Sequence, residues 1–276
     1  MCSLGEEFPW AETRRSRLAG NISIRREPVG VVAAIVPWNA PLLILLAKVV
    51  PALLAGCTVV VKPAPEATGS TNALTALIDA SGLPRGVFNV VAGAAASGAW
   101  FVAHPGIDKV TFTGSSDAGR HVAVACARDL KRVTLELGGE SAAIVLEDAE
   151  TEHVLAALRT WSFTNSGQSC PAQTRILAPR GRHNEFAEAL GALADGFVVG
   201  DPHQEATDLG PLVSERQRER VLGYIRSGMD EGATLVAGGL ERPSEVEKGW
   251  YVKPTVFARV DNGMTIARDE ISDPWS

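Results

Sequence analysis

The sequence lacks the features of several protein classes. It contains four cysteines, Cys2, Cys57, Cys126 and Cys170, which lie far apart and form no CxxC pair. Neither a zinc site nor a disulfide scaffold is indicated, so we expect free thiols and no bound metal. The 26 lysines and arginines are outnumbered by 32 aspartates and glutamates, which leaves no basic excess for a nucleic-acid partner.

A secretory leader and a membrane span are also missing from the pattern. The first ten residues, MCSLGEEFPW, have neither a basic nor an apolar leader region. The most apolar stretch, residues 40–56, is shorter than a membrane span and carries Lys48, Pro41 and Pro51. We interpret this stretch as a buried helix and expect a cytoplasmic protein with no membrane partner.

The first half of the chain alternates short apolar runs with helical windows. Strands are predicted at 31–36, 58–62, 87–91, 109–112 and 133–136, and helices at 41–55, 70–80, 97–103 and 116–127. Strands that alternate with helices at this spacing predict βαβ units and a parallel sheet. We therefore expect an α/β fold with a Rossmann-like first domain.

The pattern changes after Gly139. A strand is predicted at 142–146, helices near 151–164, 182–194 and 214–231, and further strands at 234–237 and 251–257. This order predicts a second α/β domain. We place the boundary in the turn 137–139, which gives a domain over residues 1–137 and another over 138–276.

The usual dinucleotide fingerprint is absent. Residues 93–98 read GAAASG and miss the GxGxxG pattern, so the sheet alone does not identify a cofactor.

Five short segments carry a resemblance to a known family. They are Pro37-Trp38-Asn39, Lys62-Pro63-Ala64-Pro65-Glu66, Phe112-Thr113-Gly114-Ser115, Leu135-Glu136-Leu137-Gly138-Gly139 and Gly167-Gln168-Ser169-Cys170. In order and spacing, with 23 residues from Asn39 to Lys62 and 34 from Glu136 to Cys170, the chain resembles the NAD(P)-dependent, hydrolytic aldehyde dehydrogenases. The resemblance implies that family's two-domain α/β fold, and an oligomerisation hairpin near 12–29.

Cys170 is the candidate nucleophile. A free aldehyde becomes a good hydride donor after a thiolate has added to its carbonyl carbon. Cys170 follows a polar turn, whereas Cys57 sits in the apolar run AGCTVVV. The alternative is a buried structural thiol, which is the commoner fate of cysteines.

Two further residues complete the catalytic set that the resemblance implies. Asn39 would stabilise the oxyanion of the tetrahedral intermediate, and its alternative is a plain N-cap of the helix that follows. Glu136 would activate the water that hydrolyses the thioester, and its alternative is a solvated carboxylate at a strand end. Because relatives that pass the acyl group to coenzyme A usually lack this glutamate, Glu136 implies a free carboxylic acid as product.

The cofactor candidates rest on the same resemblance. Lys62 would contact a ribose and Ser115 the pyrophosphate at a helix start. Gly93 would form the loop beside the pyrophosphate. Trp38 is a further candidate for the cofactor site, as a residue that packs there and does not contact the substrate. Glu66 is a candidate because it follows Pro65, the position at which many relatives carry a ribose-binding glutamate. For Lys62, the alternative is an ordinary surface lysine that closes a strand. We expect NAD as the cofactor, with NADP left open.

The two ends depart from the family pattern. Only 25 residues precede the family-like segment beginning at Arg26, which predicts that the first helices of the fold are missing. Ala267 to Ile271 matches a family motif in which Glu270 would contact the nicotinamide ribose, but Ser272-Asp273-Pro274-Trp275 follows where Phe-Gly-Pro is expected. We expect a chain cut short at both ends, and full-length relatives that are homo-oligomers.

Three functions stay open at this point. The first is oxidation of an aldehyde to its acid. The second is an inactive truncated pseudoenzyme or gene remnant of the same family, and the third is a cofactor-independent cysteine hydrolase. For an active enzyme, the small residues Ala40, Thr164, Ser169 and Pro171 occupy positions that resemble the lining of the substrate tunnel, which favours a wide tunnel.

Overall fold

The computed structural model describes residues 2–271, and the segment 272–275, where the family pattern is expected to break, lies outside that range. The chain forms two compact units that divide between Leu137 and Gly138. The first unit contains the helices α1 (Cys2–Glu7), α2 (Pro41–Leu54), α3 (Thr68–Ala80), α4 (Ala95–Ala103) and α5 (Ser116–Arg128). Its strands are β1 (Ala11–Arg15), β2 (Asn21–Arg25), β3 (Val31–Val36), β4 (Thr58–Pro63), β5 (Phe88–Val90), β6 (Lys109–Thr113) and β7 (Arg132–Glu136).

A five-stranded sheet organises the first unit. Its strand order is β5-β4-β3-β6-β7, and every pair is parallel. The expected parallel α/β sheet is thus confirmed. Strands β1 and β2 form a separate antiparallel hairpin, with Ala11 opposite Arg25 and Arg15 opposite Asn21.

The two faces of the sheet carry separate apolar clusters. On β3, Ala33 and Ile35 belong to one cluster, together with Phe101 of α4 and Cys126 of α5. The alternate β3 residues Val32, Ala34 and Val36 belong to the other cluster, together with Leu45 and Val49 of α2. Because neighbouring residues of a strand point to opposite faces, the continuous apolar run VVAAIV buries both sides of the sheet under helices.

Helix α2 has clear start and stop signals. Pro41 occupies its first turn, where the fixed φ of proline suits a helix and its missing N–H costs nothing. Gly56 follows its end with φ of 79°, a left-handed conformation that glycine adopts without strain, and its N–H donates to the Leu53 carbonyl at 2.9 Å. The most apolar stretch of the chain is thereby a helix of 14 residues that packs on the sheet. No helix within residues 2–271 is long and apolar enough to cross a membrane.

The second unit has shorter strands. Its elements are β8 (Ser141–Ile144), α6 (Thr151–Phe163), β9 (Gln173–Leu177), α7 (His183–Asp195), α8 (Glu215–Asp230), β10 (Thr234–Ala237), β11 (Val256–Ala258) and α9 (Thr265–Arg268). Strands β8 and β9 pair in parallel, and β10 and β11 pair antiparallel. Short 3₁₀ turns occur at Arg180–Arg182 and, in the first unit, at Pro65–Ala67, whereas Thr164–Gly167 forms a turn with positive φ angles.

Four sequence-based assignments need correction. The predicted strand at 251–257 is wrong over most of its length, because only Val256–Ala258 forms a strand. Tyr251 instead packs with Val199 and Leu209 in a buried cluster, so its apolar neighbourhood reflects loop packing and not strand pairing. Strand β9 and the short helices α1 and α9 were not predicted.

Candidate active site

The strand order defines a crevice in the first unit. From β3 the chain adds β4 and β5 on one side and then β6 and β7 on the other, so the order reverses between β3 and β6. In open α/β sheets, ligands bind at the carboxyl ends of the strands at this reversal. Trp38 and Asn39 follow the end of β3, and Gly114 and Ser115 follow the end of β6.

Two hydroxyls lie at the end of β6. The Ser115 hydroxyl is the N-cap of α5 and accepts a hydrogen bond from the Ala118 N–H at 3.2 Å. The Thr113 hydroxyl is buried and has no hydrogen-bond partner among residues 2–271. Buried polar groups almost always have a partner, so an orphan hydroxyl at the crevice suits a polar ligand there.

Lys62 is fully buried at the end of β4, with 0% of its surface exposed. Its Nζ donates to the Pro63 carbonyl at 3.0 Å. Burial lowers the pKa of this ammonium group, and the nearby charge of Glu66 opposes that shift. The alternative of a surface lysine is therefore wrong, whereas Glu66 itself is exposed on the 3₁₀ turn after β4.

Two glycines lie close to neighbouring side chains in this half. A Cβ at Gly93 would come within 2.3 Å of the Ser97 hydroxyl, so close packing against the first turns of α4 already accounts for glycine at this position. A Cβ at Gly98 would lie 3.4 Å from Cδ of Lys62, which places the lysine stem directly beside α4.

Asn39 does not cap α2. Ala40 is the N-cap residue, with no side-chain capping bond, and the Asn39 Oδ1 accepts from the Ala40 N–H at 3.1 Å. The N-cap alternative is therefore wrong. The half-buried Asn39 follows the buried Trp38 directly, at the carboxyl end of β3.

Glu136 ends β7 beside the same turn. It is the register partner of Thr113, and its carbonyl accepts from the Gly114 N–H at 3.0 Å. Its side chain is exposed, which both the catalytic role and the solvated alternative allow. Trp38, Asn39, Lys62, Ser115 and Glu136 thus all lie at the carboxyl edge of one sheet.

Lys48 is a site candidate that the motif analysis missed. This half-buried lysine of α2 donates from Nζ to the Thr111 hydroxyl at 3.0 Å. Burial lowers its pKa from 10.5 to about 8, while the charge of Glu136 opposes the shift and that of Lys109 adds to it. The sequence feature that could have identified it is a single lysine inside an otherwise apolar helix. Burying a charged amine costs free energy, so such a lysine is a candidate for a functional role.

Cys170 lies in the second unit after an unusual turn. Asn165, Ser166 and Gly167 have φ of 57°, 56° and 76°, so three successive residues are left-handed. Cys170 is exposed, whereas Cys57 and Cys126 are buried. The alternative of a buried structural thiol is therefore wrong for Cys170.

Glu270 is held beside the glycine pair that begins the second unit. Its Oε1 accepts from the Gly139 N–H at 3.2 Å, and a Cβ at Gly138 would lie 1.5 Å from its Oε2. The Arg220 guanidinium fixes the segment by donating to the Glu270 carbonyl at 2.7 Å. A Cβ at Gly139 would come within 2.9 Å of the Cys170 carbonyl, so the pair adjoins both Glu270 and the backbone of Cys170.

Metal-ligating side chains do not form a binding cluster in the described part of the chain. Residues 2–271 contain no group of three or more His, Cys, Asp or Glu side chains that could hold a metal ion. The polar groups at the carboxyl edge of the first unit's sheet and around Cys170 in the second unit are an amine, hydroxyls, an amide, carboxylates and a thiol.

Fold and side chains together define a class, an α/β protein with a doubly wound parallel sheet followed by a unit that presents an exposed cysteine. The pattern of the aldehyde dehydrogenase family matches residues 6–274. The chain belongs to the aldehyde dehydrogenase family.

Individual relatives agree with this assignment. Geranial dehydrogenase of Castellaniella defragrans is 47% identical over 99% of this chain and 56% of its own length. Betaine aldehyde dehydrogenase of Rhizobium etli is 43% identical over 91% of this chain and 51% of its own length. The chain thus spans about half the length of the curated relatives it matches.

Solved structures match the same fold. The aldehyde dehydrogenase of Mycobacterium tuberculosis, in complex with NAD+, gives a TM-score of 0.94 at 47% identity, covering 99% of this chain and 58% of the other. A mutant aldehyde dehydrogenase C of Pseudomonas syringae, with NAD+ and octanal, gives 0.89 at 47% identity, covering 91% and 52%.

Proposed function

We propose that this chain carries the chemistry of an NAD-dependent aldehyde dehydrogenase that releases a carboxylic acid. The observation that carries the proposal is the exposed Cys170 directly after a left-handed polar turn, because an accessible thiol is what nucleophilic attack on an aldehyde requires. Membership of the aldehyde dehydrogenase family supports this role over that of a cofactor-independent hydrolase.

NAD fits the side chains at the carboxyl edge of the first unit's sheet. The order reversal between β3 and β6 and the orphan Thr113 hydroxyl both suit a dinucleotide there. Lys62 and Ser115 would hold its ribose and pyrophosphate, and Gly93, Trp38 and Glu66 are further candidates in the same unit. Glu270, in the second unit, is the candidate for the nicotinamide ribose. When bound, NAD+ supplies the hydride acceptor. The NAD+ complexes of the solved relatives support NAD over NADP.

The first steps use Cys170 and Asn39. The Cys170 Sγ forms a bond to the carbonyl carbon, and the electron pair of the C=O bond moves to oxygen. The Asn39 amide would donate a hydrogen bond to that oxyanion, and loss of one such donor typically costs about 3 kcal/mol. Loss of the hydride from the same carbon leaves a thioester on Cys170.

Glu136 would serve the second half of the reaction. Its carboxylate accepts a proton from water as the water oxygen attacks the thioester carbon. The carbon–sulfur bond then breaks, the acid leaves and the Cys170 thiolate returns. Because Glu136 is exposed at the end of β7, water has access to its carboxylate.

An apolar, extended aldehyde is the proposed substrate class. Thr164 and Pro171, which precede and follow Cys170 in the sequence, are small and exposed. The exposed indole of Trp161, one helical turn before Thr164, offers apolar surface. The relatives support this class, because one acts on geranial and a solved structure holds octanal. A quaternary ammonium aldehyde is the alternative that the betaine aldehyde dehydrogenases represent.

The test is NADH formation at 340 nm with octanal, geranial, acetaldehyde and betaine aldehyde. We expect turnover with octanal and geranial, and its complete loss in Cys170→Ala. Cys57→Ala is the matched control, since it removes a buried thiol and should leave turnover unchanged. Turnover that survives in Cys170→Ala would exclude the mechanism, and a folded but inactive wild type would favour the inactive-relative alternative.

A further inference from the structure

The turn before Cys170 is energetically unusual. Asn165 and Ser166 are non-glycine residues in the left-handed region, followed by Gly167 in the same region. Such conformations are uncommon for residues with a Cβ and persist only where surrounding contacts hold them. The contacts that hold this turn therefore decide where the backbone of Cys170 lies.

Gln168 supplies several of those contacts. Its side chain is buried, with 6% of the residue exposed. Nε2 donates to the Asn165 carbonyl at 3.0 Å, and the backbone N–H of Gln168 donates to the same carbonyl at 3.1 Å. In return, the Asn165 Nδ2 donates to the Gln168 carbonyl at 3.2 Å. These bonds close the turn on itself from both ends.

The same side chain ties the turn to a distant loop. The Gln168 Oε1 accepts from the Val213 N–H at 3.0 Å. Ser166 makes a second tie, because its hydroxyl donates to the Gly210 carbonyl at 2.9 Å. The loop 210–213 is itself anchored, since the adjacent Leu209 is buried and bridges to Val199. The turn is thereby fixed to a packed part of the second unit.

A carboxamide suits this position. It donates to a carbonyl and accepts from an N–H at the same time, in the two directions needed here. An exposed thiol cannot be located by burial of its own side chain, so its position depends on the backbone that carries it. The Ser169 carbonyl accepts from the Ala172 N–H at 3.0 Å, which continues the ordered backbone through Cys170.

From these contacts we infer that Gln168 is a positioning residue, which fixes the left-handed turn and thereby sets the location of the Cys170 sulfur for attack on a carbonyl carbon. This inference rests on the proposed role of Cys170 as nucleophile. It assigns Gln168 no contact with substrate or cofactor. Small displacements of a nucleophile are costly, since an error of about 1 Å reduces a rate by up to about 100-fold.

The test is acylation of Cys170 by p-nitrophenyl acetate, which needs no cofactor. The sulfur bonds to the acetyl carbon and p-nitrophenolate leaves, so the burst of p-nitrophenolate gives the acylation rate constant. We expect Gln168→Ala to lower that constant about 10- to 100-fold. In steady-state aldehyde oxidation kcat should fall with little change in KM, because substrate contacts are retained.

Gln168→Glu separates positioning from bulk packing. A protonated carboxyl can donate to the Asn165 carbonyl and accept from the Val213 N–H, whereas an ionised carboxylate can only accept. The acylation rate of this variant relative to wild type should therefore fall as the pH rises through the titration of the new carboxyl, and it should be low at pH 8, where a glutamate is ordinarily ionised. A variant that acylates as fast as wild type while its carboxyl is ionised would overturn the inference.

Controls guard against simple loss of folding. Leu190→Ala removes a buried side chain of α7 in the same unit and should lower the urea midpoint without a comparable loss of acylation rate. If Leu190→Ala and Gln168→Ala lose acylation rate equally, or if wild-type Cys170 reacts no faster than free glutathione, Gln168 has no positioning role. Acylation that depends on Gln168 without any aldehyde-dependent NADH would support this inference and overturn the proposed function.

Discussion

Lys48 puts an amine into the apolar face of α2, and its titration is coupled to folding. In an unfolded chain a lysine titrates near pH 10.4, whereas burial brings the pKa of Lys48 to about 8 in the folded protein. The folded state therefore resists protonation of this group. Burial of the charged Lys48 amine lowers the free energy of unfolding by its full amount below about pH 8. The free energy of unfolding rises between about pH 8 and 10.5, because in that window the unfolded state binds more protons than the folded state.

Replacing Lys48 with methionine should remove this dependence. We expect the stability of the wild type, relative to Lys48→Met, to increase between pH 8 and 10, by less than about 1.4 kcal/mol per pH unit because the group is only partly buried. Urea midpoints at pH 7, 8, 9 and 10 measure the difference. The exposed Lys248 gives the control, since Lys248→Met should differ from wild type by a constant amount. A constant difference for Lys48→Met as well would contradict the prediction.

At the scale of single residues, the sequence predicted the candidate catalytic residues better than the residues that hold them in place. Cys170 and Asn39 could be singled out because their residue types and motif context point to a known reaction. Gln168 lies within one of the same motifs, yet its contact with Val213, 45 residues away, depends on how the second unit packs. Burial also decides the state of Lys48 and the isolation of the Thr113 hydroxyl, and no local pattern specifies burial to that detail.

Two helices within residues 2–271 begin with equivalent serine caps: α5, which follows the carboxyl end of β6 at the crevice of the first unit, and α8 in the second unit. The Ser115 hydroxyl accepts from the Ala118 N–H at 3.2 Å at the start of α5, and the Ser214 hydroxyl accepts from the Gln217 N–H at 3.3 Å at the start of α8. Removing a serine cap typically costs about 1 kcal/mol. Both Ser115→Ala and Ser214→Ala should therefore lower stability by about this amount.

Their effect on NAD should differ. The start of α5, directly after the carboxyl end of β6, is the proposed pyrophosphate site, because the first N–H groups of a helix attract anions. We expect Ser115→Ala to raise the Kd for NAD+ by about 10-fold, which corresponds to about 1.4 kcal/mol, and Ser214→Ala to leave it unchanged. Isothermal titration with NAD+ measures both. Equal changes in the two variants would show that the Ser115 effect reflects helix stability alone.

Secondary structure was easiest to predict where burial is two-sided. Strand β3 reads as an unbroken apolar run because helices cover both faces of the sheet, which is typical of parallel strands. Strand β9, Gln173–Leu177, carries polar residues in its first half, and the Arg175 guanidinium donates to the Ala267 carbonyl. Its pairing with β8 is therefore a product of tertiary structure that strand propensity does not reveal.

At the scale of the whole molecule, the exposed apolar surface is the property with the clearest consequence. In the second unit, Ile144 and Leu177 are register partners on β8 and β9, and they are 72% and 47% exposed. Leu146, just beyond β8, is 64% exposed. We call these three residues the β8–β9 patch. No third strand pairs with β8 or β9 within residues 2–271, so both backbone edges of this two-stranded sheet are open.

Open edges beside apolar side chains favour association. We therefore expect the protein to form higher-mass species as its concentration rises, and Ile144→Lys to reduce them by placing a charge in the β8–β9 patch. Val124→Lys is the matched control, since Val124 is 73% exposed on α5 in the other unit. Sedimentation velocity from 1 to 100 μM measures the distribution for all three proteins. A concentration-independent wild type, or an equal effect of the two lysine variants, would show that the patch does not drive association.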